Sequence, residues 1–288
     1  WILSHTHLPD AWSAVLAQRH VLTGMAHMPM LGRDPRQFRH HHLIFPVSEY
    51  VRSTLREAGL SRTYPDPLYG VARVGGADPG MERSLVAASV YEWDLRKGRD
   101  RLLSHLHPLW WKLQPAKPYQ RRPGVTLGVV SRLTPIKQFP LLFKYIAPVL
   151  ATRPDVNLEI FGSGGYASVR DTRRALRPLG NRVRFWGHQR DVASAYRQID
   201  YLLTGLPEKE ALGLNVVEAQ ACGTPILAVG APPFTETVAD GVTGYLYRDP
   251  RLDQGADFAR VLDRICRDFP ERLTPLDADE HLRKFSFA

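Results

Sequence analysis

Cysteine is scarce: the 288 residues include only Cys222 and Cys266, far apart. With no second pair, neither a disulfide framework nor a zinc knuckle can be assembled, so a reducing, cytoplasmic compartment is expected. Cys222 reads as a small core residue packing its helix. Long apolar runs are also missing. No stretch approaches the ~20 residues that cross a bilayer. Trp1-Ile2-Leu3-Ser4-His5 lacks the basic start and apolar core of a secretion signal. There is no internal repeat and no low-complexity tract, and 44% hydrophobic with 23% charged residues is ordinary globular composition. Acidic residues are the minority charge, 29 against 38 Lys and Arg, giving a net charge of +9. A surplus of that size implies an anionic partner. Nucleic acid is disfavoured because the basic residues are dispersed and no recognition motif occurs. An acidic membrane surface and a phosphorylated small substrate remain.

At roughly 150 residues per domain, two domains are expected. From Val125 onward, short apolar runs alternate with helical patterns, the signature of βα units in a parallel sheet covered on both faces. Strands are expected at Thr126–Val130, Leu158–Phe161, Val183–Trp186, Tyr201–Leu203 and Ile226–Val229. Helices are expected at Leu141–Leu150, Ala167–Leu176, Ala193–Gln198 and Leu214–Ala221. The first part has strands at Ile2–Ser4, at Val21–Met25 and at Leu43–Val47, then a helix from Glu49 to Ala58. The stretch 75–123 carries Gly75, Gly76, Pro79, Pro108, Pro115, Pro118 and Pro123 and reads as a linker with an inserted excursion. The expected class is α/β with two Rossmann-like doubly wound domains, the N-terminal one incomplete. The divisions are 1–74, 75–123, 124–274 and 275–288, and a chain that opens on Trp1 in mid-strand is expected to have lost residues at both ends.

Two segments carry the chemistry. Glu208 to Pro225 runs strand, Gly-containing turn, helix, which puts the N–H groups near Gly213 and Leu214 at a helix N-terminus, where an anion is favoured. Glu210 lies in the turn and Glu218 within the helix, spaced to hold the hydroxyls of a sugar and a ribose with phosphates between them. Ser131 to Gln138 follows the first strand of the same sheet, and ligands of open parallel sheets bind outside the strands' carboxyl ends. Arg132 and Lys137 fall there and suit a diphosphate. Plainer readings stand beside these: solvated helix-end carboxylates, surface cations, and a tight turn at Gly162, Gly164 and Gly165.

Arg132 with Lys137, Phe161-Gly162-Ser163-Gly164, Phe185-Trp186-Gly187, the Glu210-to-Glu218 pair and Asp240-Gly241-Val242-Thr243-Gly244 together resemble the retaining nucleotide-sugar glycosyltransferases of family 4, fold type GT-B. The likeness is close from Val125 to about Asp249. It is looser at His5 or His7, His27, Pro46-Val47-Ser48-Glu49 and Tyr69-Gly70-Val71, which resemble that family's acceptor domain. The resemblance implies Arg132 and Lys137 on the donor diphosphate, Glu218 on the ribose, Glu210 on the transferred sugar, and Leu214 offering backbone N–H groups. Gly162, Gly187 and Gly213 join the donor site. His27 matches the histidine beside the donor sugar, so the catalytic set is Glu210, His27, Arg132 and Lys137. No metal or cofactor is expected, and no clear donor-site Asp-x-Asp pair is present. The turn Glu210-Ala211-Leu212-Gly213 departs from the family, which more often has Gly and Phe after the glutamate.

The resemblance implies a UDP-sugar donor, with GDP- and ADP-sugars open, and a saccharide or lipid-linked acceptor in cell-envelope polysaccharide or glycolipid synthesis. A nucleotide-sugar binder without turnover is the runner-up. The pairing of His5-Thr6-His7 with Asp10, and the run Arg39-His40-His41-His42, raises a metallohydrolase, but the spacing reproduces no recognised ligand run. Arg99 to Lys112 mixes basic, apolar and Trp residues. It admits peripheral membrane contact or packing of Trp110 and Trp111 against the domain, with Pro108 interrupting any helix.

Overall fold

The computed structural model describes residues 1–6, 8–70, 85–112 and 117–285, with side chains left aside at 99 and 107–112. Features at His7, Val71, Gly75, Gly76, Pro79 and Pro115, and the last three residues, lie outside the described residues, as do the side chains of Trp110 and Trp111.

Two parallel sheets organise the chain. The first has the order β1 (Ile2–Ser4), β2 (Leu22–Ala26), β3 (Leu43–Pro46). The register pairs Leu3 with Thr23 and Met25 with Phe45. Helix α1 (Asp10–Arg19) links β1 to β2, and α2 (Glu49–Glu57) follows β3. The sequence gives no periodic signal for α1 because it buries only Ser13 and leaves Trp12 and Val15 exposed. Helix α2 instead lays Val51, Thr54 and Leu55 on the core, at the spacing of one helix face.

The second sheet has six parallel strands in the order β6-β5-β4-β7-β8-β9, reversing direction of growth beside β4. They are β4 (Val125–Val130), β5 (Val156–Phe161), β6 (Val183–Gly187), β7 (Tyr201–Leu203), β8 (Ile226–Val229) and β9 (Gly244–Tyr247). β4 and β5 are buried at every position, Asn157 and Glu159 included, as strands covered on both faces should be. The covering helices are α4 (Phe139–Ala151), α5 (Tyr166–Ala175), α6 (Val192–Arg197), α7 (Leu214–Ala221), α8 (Phe234–Thr237), α9 (Pro250–Asp253) and α10 (Ala256–Asp268), and the short α11 (Asp279–Arg283) comes last. One apolar cluster packs α4 and α10 on one face of this sheet, and a second packs α6 and α7 on the other. Cys222 packs against the second cluster; its partial burial pushes the thiol up to about 11.

Two differences from the sequence reading have physical reasons. The stretch expected as linker and excursion contains helix α3 (Gly98–Lys112), whose backbone continues through position 108. A proline forfeits only its own N–H bond and strains one turn, so it ends a helix less reliably than expected. β9 and α10 are additional elements. In α10, Phe258, Val261, Leu262 and Ile265 recur at helical spacing and are buried. No helix of the described residues is long and apolar enough to cross a membrane.

Candidate functional site

The carboxyl ends of β4 and β5, with the residues just after β6 and the turn that follows β7, face the end of β2 across a cleft of about 750 Å³, the site expected for an open parallel sheet. Of the residues singled out in the sequence, His27, Arg132, Lys137, Gly162, Glu210, Gly213, Leu214 and Glu218 all line it. Gly187 does not. Its carbonyl accepts from the Gly162 N–H at 2.7 Å, and a side chain there would meet the Ala88 carbonyl oxygen at 2.3 Å, so it shapes the loop beneath the cleft. Trp186, of the same motif, is also structural: its indole N–H donates to the buried Glu159 carboxylate at 2.6 Å, opposite Arg122 at 2.7 Å.

Backbone close approach makes the floor. Gly162 has φ 152°, and a Cβ there would lie 1.9 Å from the Ser131 carbonyl oxygen, so only glycine allows the β4 and β5 loops to touch. Gly205 does the same for the turn carrying Lys137: a Cβ would lie 2.2 Å from the Lys137 carbonyl oxygen. The sequence pattern gave no reason to single out Gly205.

At the centre, Lys137 Nζ lies 2.6 Å from Glu210 Oε1, and both side chains are largely withdrawn from solvent. The turn bearing Glu210 is fixed by Glu210 N–H donating to Pro207 O at 2.8 Å and by Gly213, at φ 80°, leading into α7. The Glu208 carboxylate behind it accepts from Gln138 at 3.0 Å and pairs with Arg251. Arg132 is different: its side chain is 73% exposed and sits 3.4 Å from Glu92, a carboxylate that also accepts from the Ser163 hydroxyl at 2.7 Å. Glu218 receives the Tyr196 hydroxyl at 2.9 Å, and this carboxylate together with burial pushes the Tyr196 phenol far above its usual range. Tyr196, His188 and Gln189 also line the cleft and were not singled out in the sequence, where they carry no motif.

The opposite wall comes from the first sheet: Met25, His27, Val47, Leu68, Tyr69 and Gly70. His27 Nε2 lies 3.1 Å from His5 Nδ1, with the rings stacked at 5.4 Å. Partial burial, and then the charge of His5, lower the His27 pKa, so the imidazole favours its neutral form. The other histidines disperse: His40 faces Asp10 at 3.2 Å, His41 meets the Ser4 hydroxyl at 3.1 Å, and His42 accepts from Leu22 N–H at 3.1 Å. Among the described residues no group of three or more His, Cys, Asp or Glu is placed to hold a metal ion.

Two parallel α/β sheets facing a shared cleft, with paired cations and carboxylates at the strand ends, define an architecture of two Rossmann-like domains. The family model of the group 1 glycosyl transferases matches residues 116–273, over half the chain, and the chain belongs to that family. A curated relative is the D-inositol 3-phosphate glycosyltransferase of Corynebacterium kroppenstedtii, 32% identical over an alignment of 178 residues that covers 57% of this chain and 38% of the relative. The chain spans less than two-fifths of the length of the curated relatives it matches. Among solved structures, Anabaena HepE in complex with UDP-glucose is similar at TM-score 0.64 and 19% identity, with 96% of this chain and 73% of that one covered. The pneumococcal O-GlcNAc transferase GtfA in complex with UDP and GlcNAc is similar at TM-score 0.59 and 16% identity, with 94% and 50% covered. The fold is therefore GT-B.

Proposed function

We propose that this chain transfers a glycosyl group from a UDP-sugar to a hydroxyl of a saccharide or lipid-linked acceptor, with retention at the anomeric carbon, in cell-envelope polysaccharide or glycolipid synthesis. The carrying observation is the meeting of Lys137 and Glu210 at 2.6 Å in a cleft that also gathers Arg132, Glu218, Gly213 and His27. UDP in the solved neighbours HepE and GtfA supports the choice of nucleotide.

In this reading, Arg132 and Lys137 bind the diphosphate oxygens, Gly162 and Gly213 let backbone N–H groups approach them, and Glu218, held by Tyr196, takes the ribose hydroxyls. Glu210 orients the transferred sugar and offsets the positive charge that develops on its ring. The bond from C1 to the β-phosphate oxygen breaks while a bond from C1 to the acceptor oxygen forms on the same face. The acceptor proton passes to the departing phosphate, and UDP leaves. Neutral His27 can accept from a sugar hydroxyl or donate to one without competing for the acceptor proton. With two cations to neutralise the leaving group, the reading assigns no step to a metal, and chelator should leave turnover unchanged.

The test is a panel of nucleotide sugars, read by melting shift and by nucleotide release. A rise in melting temperature with UDP and UDP release from one donor are expected. Glu210→Ala should cut that turnover about 100-fold, as loss of other preorganised charged groups does. Turnover within a few-fold of the parent in folded Glu210→Ala protein would overturn the reading. A shift without release would leave a binder.

A further inference from the structure

The family match begins at residue 116, so the segment 85–92 lies outside it, yet this segment runs beneath the loops that follow β4, β5 and β6 at the cleft. Leu85 is buried in one apolar cluster of the second sheet and Val90 in the other, which pins the segment at both ends. Between them, Ala88 N–H donates to Trp186 O at 2.8 Å, and the Val86 carbonyl accepts from the Gln189 amide at 3.0 Å. Gly164 N–H then donates to Val90 O at 3.0 Å and Glu92 N–H to Gly164 O at 2.9 Å, so two backbone bonds seat Glu92 against the loop after β5. That loop is tied in turn to the one after β4 by Leu133 N–H donating to Ser163 O at 2.8 Å.

We propose that Glu92 is a positioning residue for donor binding: it holds the Arg132 guanidinium in place at the cleft before the diphosphate arrives. The inference rests on the donor role given to Arg132 above. The side chain of Arg132 is 73% exposed, and a long side chain in water samples many rotamers. Ordering it as the ligand binds costs affinity, whereas a side chain already ordered does not. Among the described residues the guanidinium has one acceptor, Glu92 Oε2, 3.4 Å from Nη2.

The two oxygens of Glu92 have separate tasks. Oε1 accepts from the hydroxyl of the buried Ser163 at 2.7 Å, so the carboxylate cannot swing away from Arg132 without giving up that bond. Oε2 faces the guanidinium. An arginine carries five N–H donors in a planar fork, and Glu92 engages only one edge of it, which leaves the rest for phosphate oxygens. Glu92 itself does not line the cleft, although Arg132 and Ser163 both do. The carboxylate therefore stands beside the place of the diphosphate and not in it. An exposed pair at this distance adds little to stability, so its effect belongs to ligand affinity and not to melting temperature.

The experiment titrates UDP into the full chain and into its Glu92 variants. Glu92→Ala should raise the Kd by about threefold to tenfold while leaving the melting temperature of the empty protein unchanged, which also reports that it folds. Glu92→Gln keeps an acceptor for Ser163 but loses the charge facing Arg132, so its rise should be smaller. In an Arg132→Ala background, where the weaker binding is read by melting shift at high UDP, adding Glu92→Ala should change the Kd by less than about twofold. With a UDP-sugar that turns over, donor KM should rise by the same factor as the Kd and kcat should hold, because the ordering cost is met on binding. An unchanged or tighter Kd in Glu92→Ala, or an equal rise in the Arg132→Ala background, overturns the inference. Nitrogen relaxation of the Arg132 Nε–H in the empty protein needs no donor and should show greater motion in Glu92→Ala. If the parent fails to bind UDP while that motion still depends on Glu92, the donor reading fails and the hold on Arg132 stands; motion indifferent to Glu92→Ala overturns the hold itself.

Discussion

Lys137 and Glu210 form an ion pair in which each group has left most of its water. Desolvation nearly cancels the attraction of such pairs, yet removing one partner leaves an uncompensated charge. Lys137→Ala should therefore lower stability by about 2 kcal/mol, and Glu210→Gln added to it should restore much of that loss. In the proposed reading Lys137 leaves Glu210 for the diphosphate, so UDP should fail to stabilise either variant. Chemical denaturation with and without UDP checks both halves of this expectation, and an undiminished UDP effect in Lys137→Ala would contradict it. His27 gives a prediction in pH. Its folded pKa lies below the ordinary 6.5, so just below that value the unfolded chain binds more protons and stability falls as the solution is acidified. Once the pH passes below the folded pKa the slope from this group ends. His27→Gln should show a shallower fall in melting temperature from about pH 7.5 to about pH 5. The difference should be small because the ring is open to solvent. An equal slope in the two proteins would remove His27 from the account. The motif residues were legible because glycine and paired charges punctuate a sequence strongly. That Gly187 shapes the floor while Gly205 supports Lys137 was not, since such roles depend on which carbonyl lies opposite.

Helix α2 shows how two domains share one capping problem. Of the four N–H groups at its start that the helix itself cannot satisfy, three find side-chain acceptors. Ser48 Oγ accepts from Val51 N–H at 3.0 Å, and Glu236, 187 positions further along the chain, accepts from Glu49 N–H at 2.7 Å and Tyr50 N–H at 3.3 Å. A carboxylate at a helix N-terminus also meets the positive end of the dipole. Tyr69 donates to the same carboxylate, which together with burial raises its phenol well above the usual range. Ser48 in turn donates to the carbonyl of Ala211, in the turn next to Glu210. Ser48→Ala and Glu236→Ala should each cost about 1 kcal/mol. Glu236→Ala should also raise the apparent KM for donor, since it loosens the first domain from the donor turn. Steady-state kinetics of the Glu236→Ala and Glu236→Gln proteins test this; unchanged donor KM in both would show that the cap is only structural. Ser48 entered the sequence reading only within a looser family likeness, and not as a cap, whereas the strands β4, β5, β7 and β8 were evident as short, mainly apolar runs. Glu236 was not evident as a cap, because nothing local distinguishes it from any surface glutamate.

At the scale of the molecule, the cleft belongs to neither sheet alone. Leu212 and Val217 of the donor turn and α7 cluster with Phe285, and Tyr69 of the first domain packs against them, its ring 5.1 Å from that of Phe285. Leu214 lies against Gly70, where an added Cβ would come 2.6 Å from its Cδ2. A ligand seated on this turn would adjoin a surface that the first domain also uses. A ligand at a hundred times its Kd stabilises the state it binds by about 2.7 kcal/mol. If the domains were joined only by chain, all of that would appear in the second domain. With this interface it should reach the first domain as well: amides of β2 and β3 should exchange more slowly with UDP present. Tyr69→Ala removes both the apolar contact and the bond to Glu236. In that variant UDP should still protect β4 and β5 but no longer β2 and β3, and a single calorimetric transition should separate into two. Hydrogen exchange resolves the strands individually, and UDP protection of β2 and β3 that survives Tyr69→Ala would show that the coupling runs through the His27 wall of the cleft and not through Tyr69.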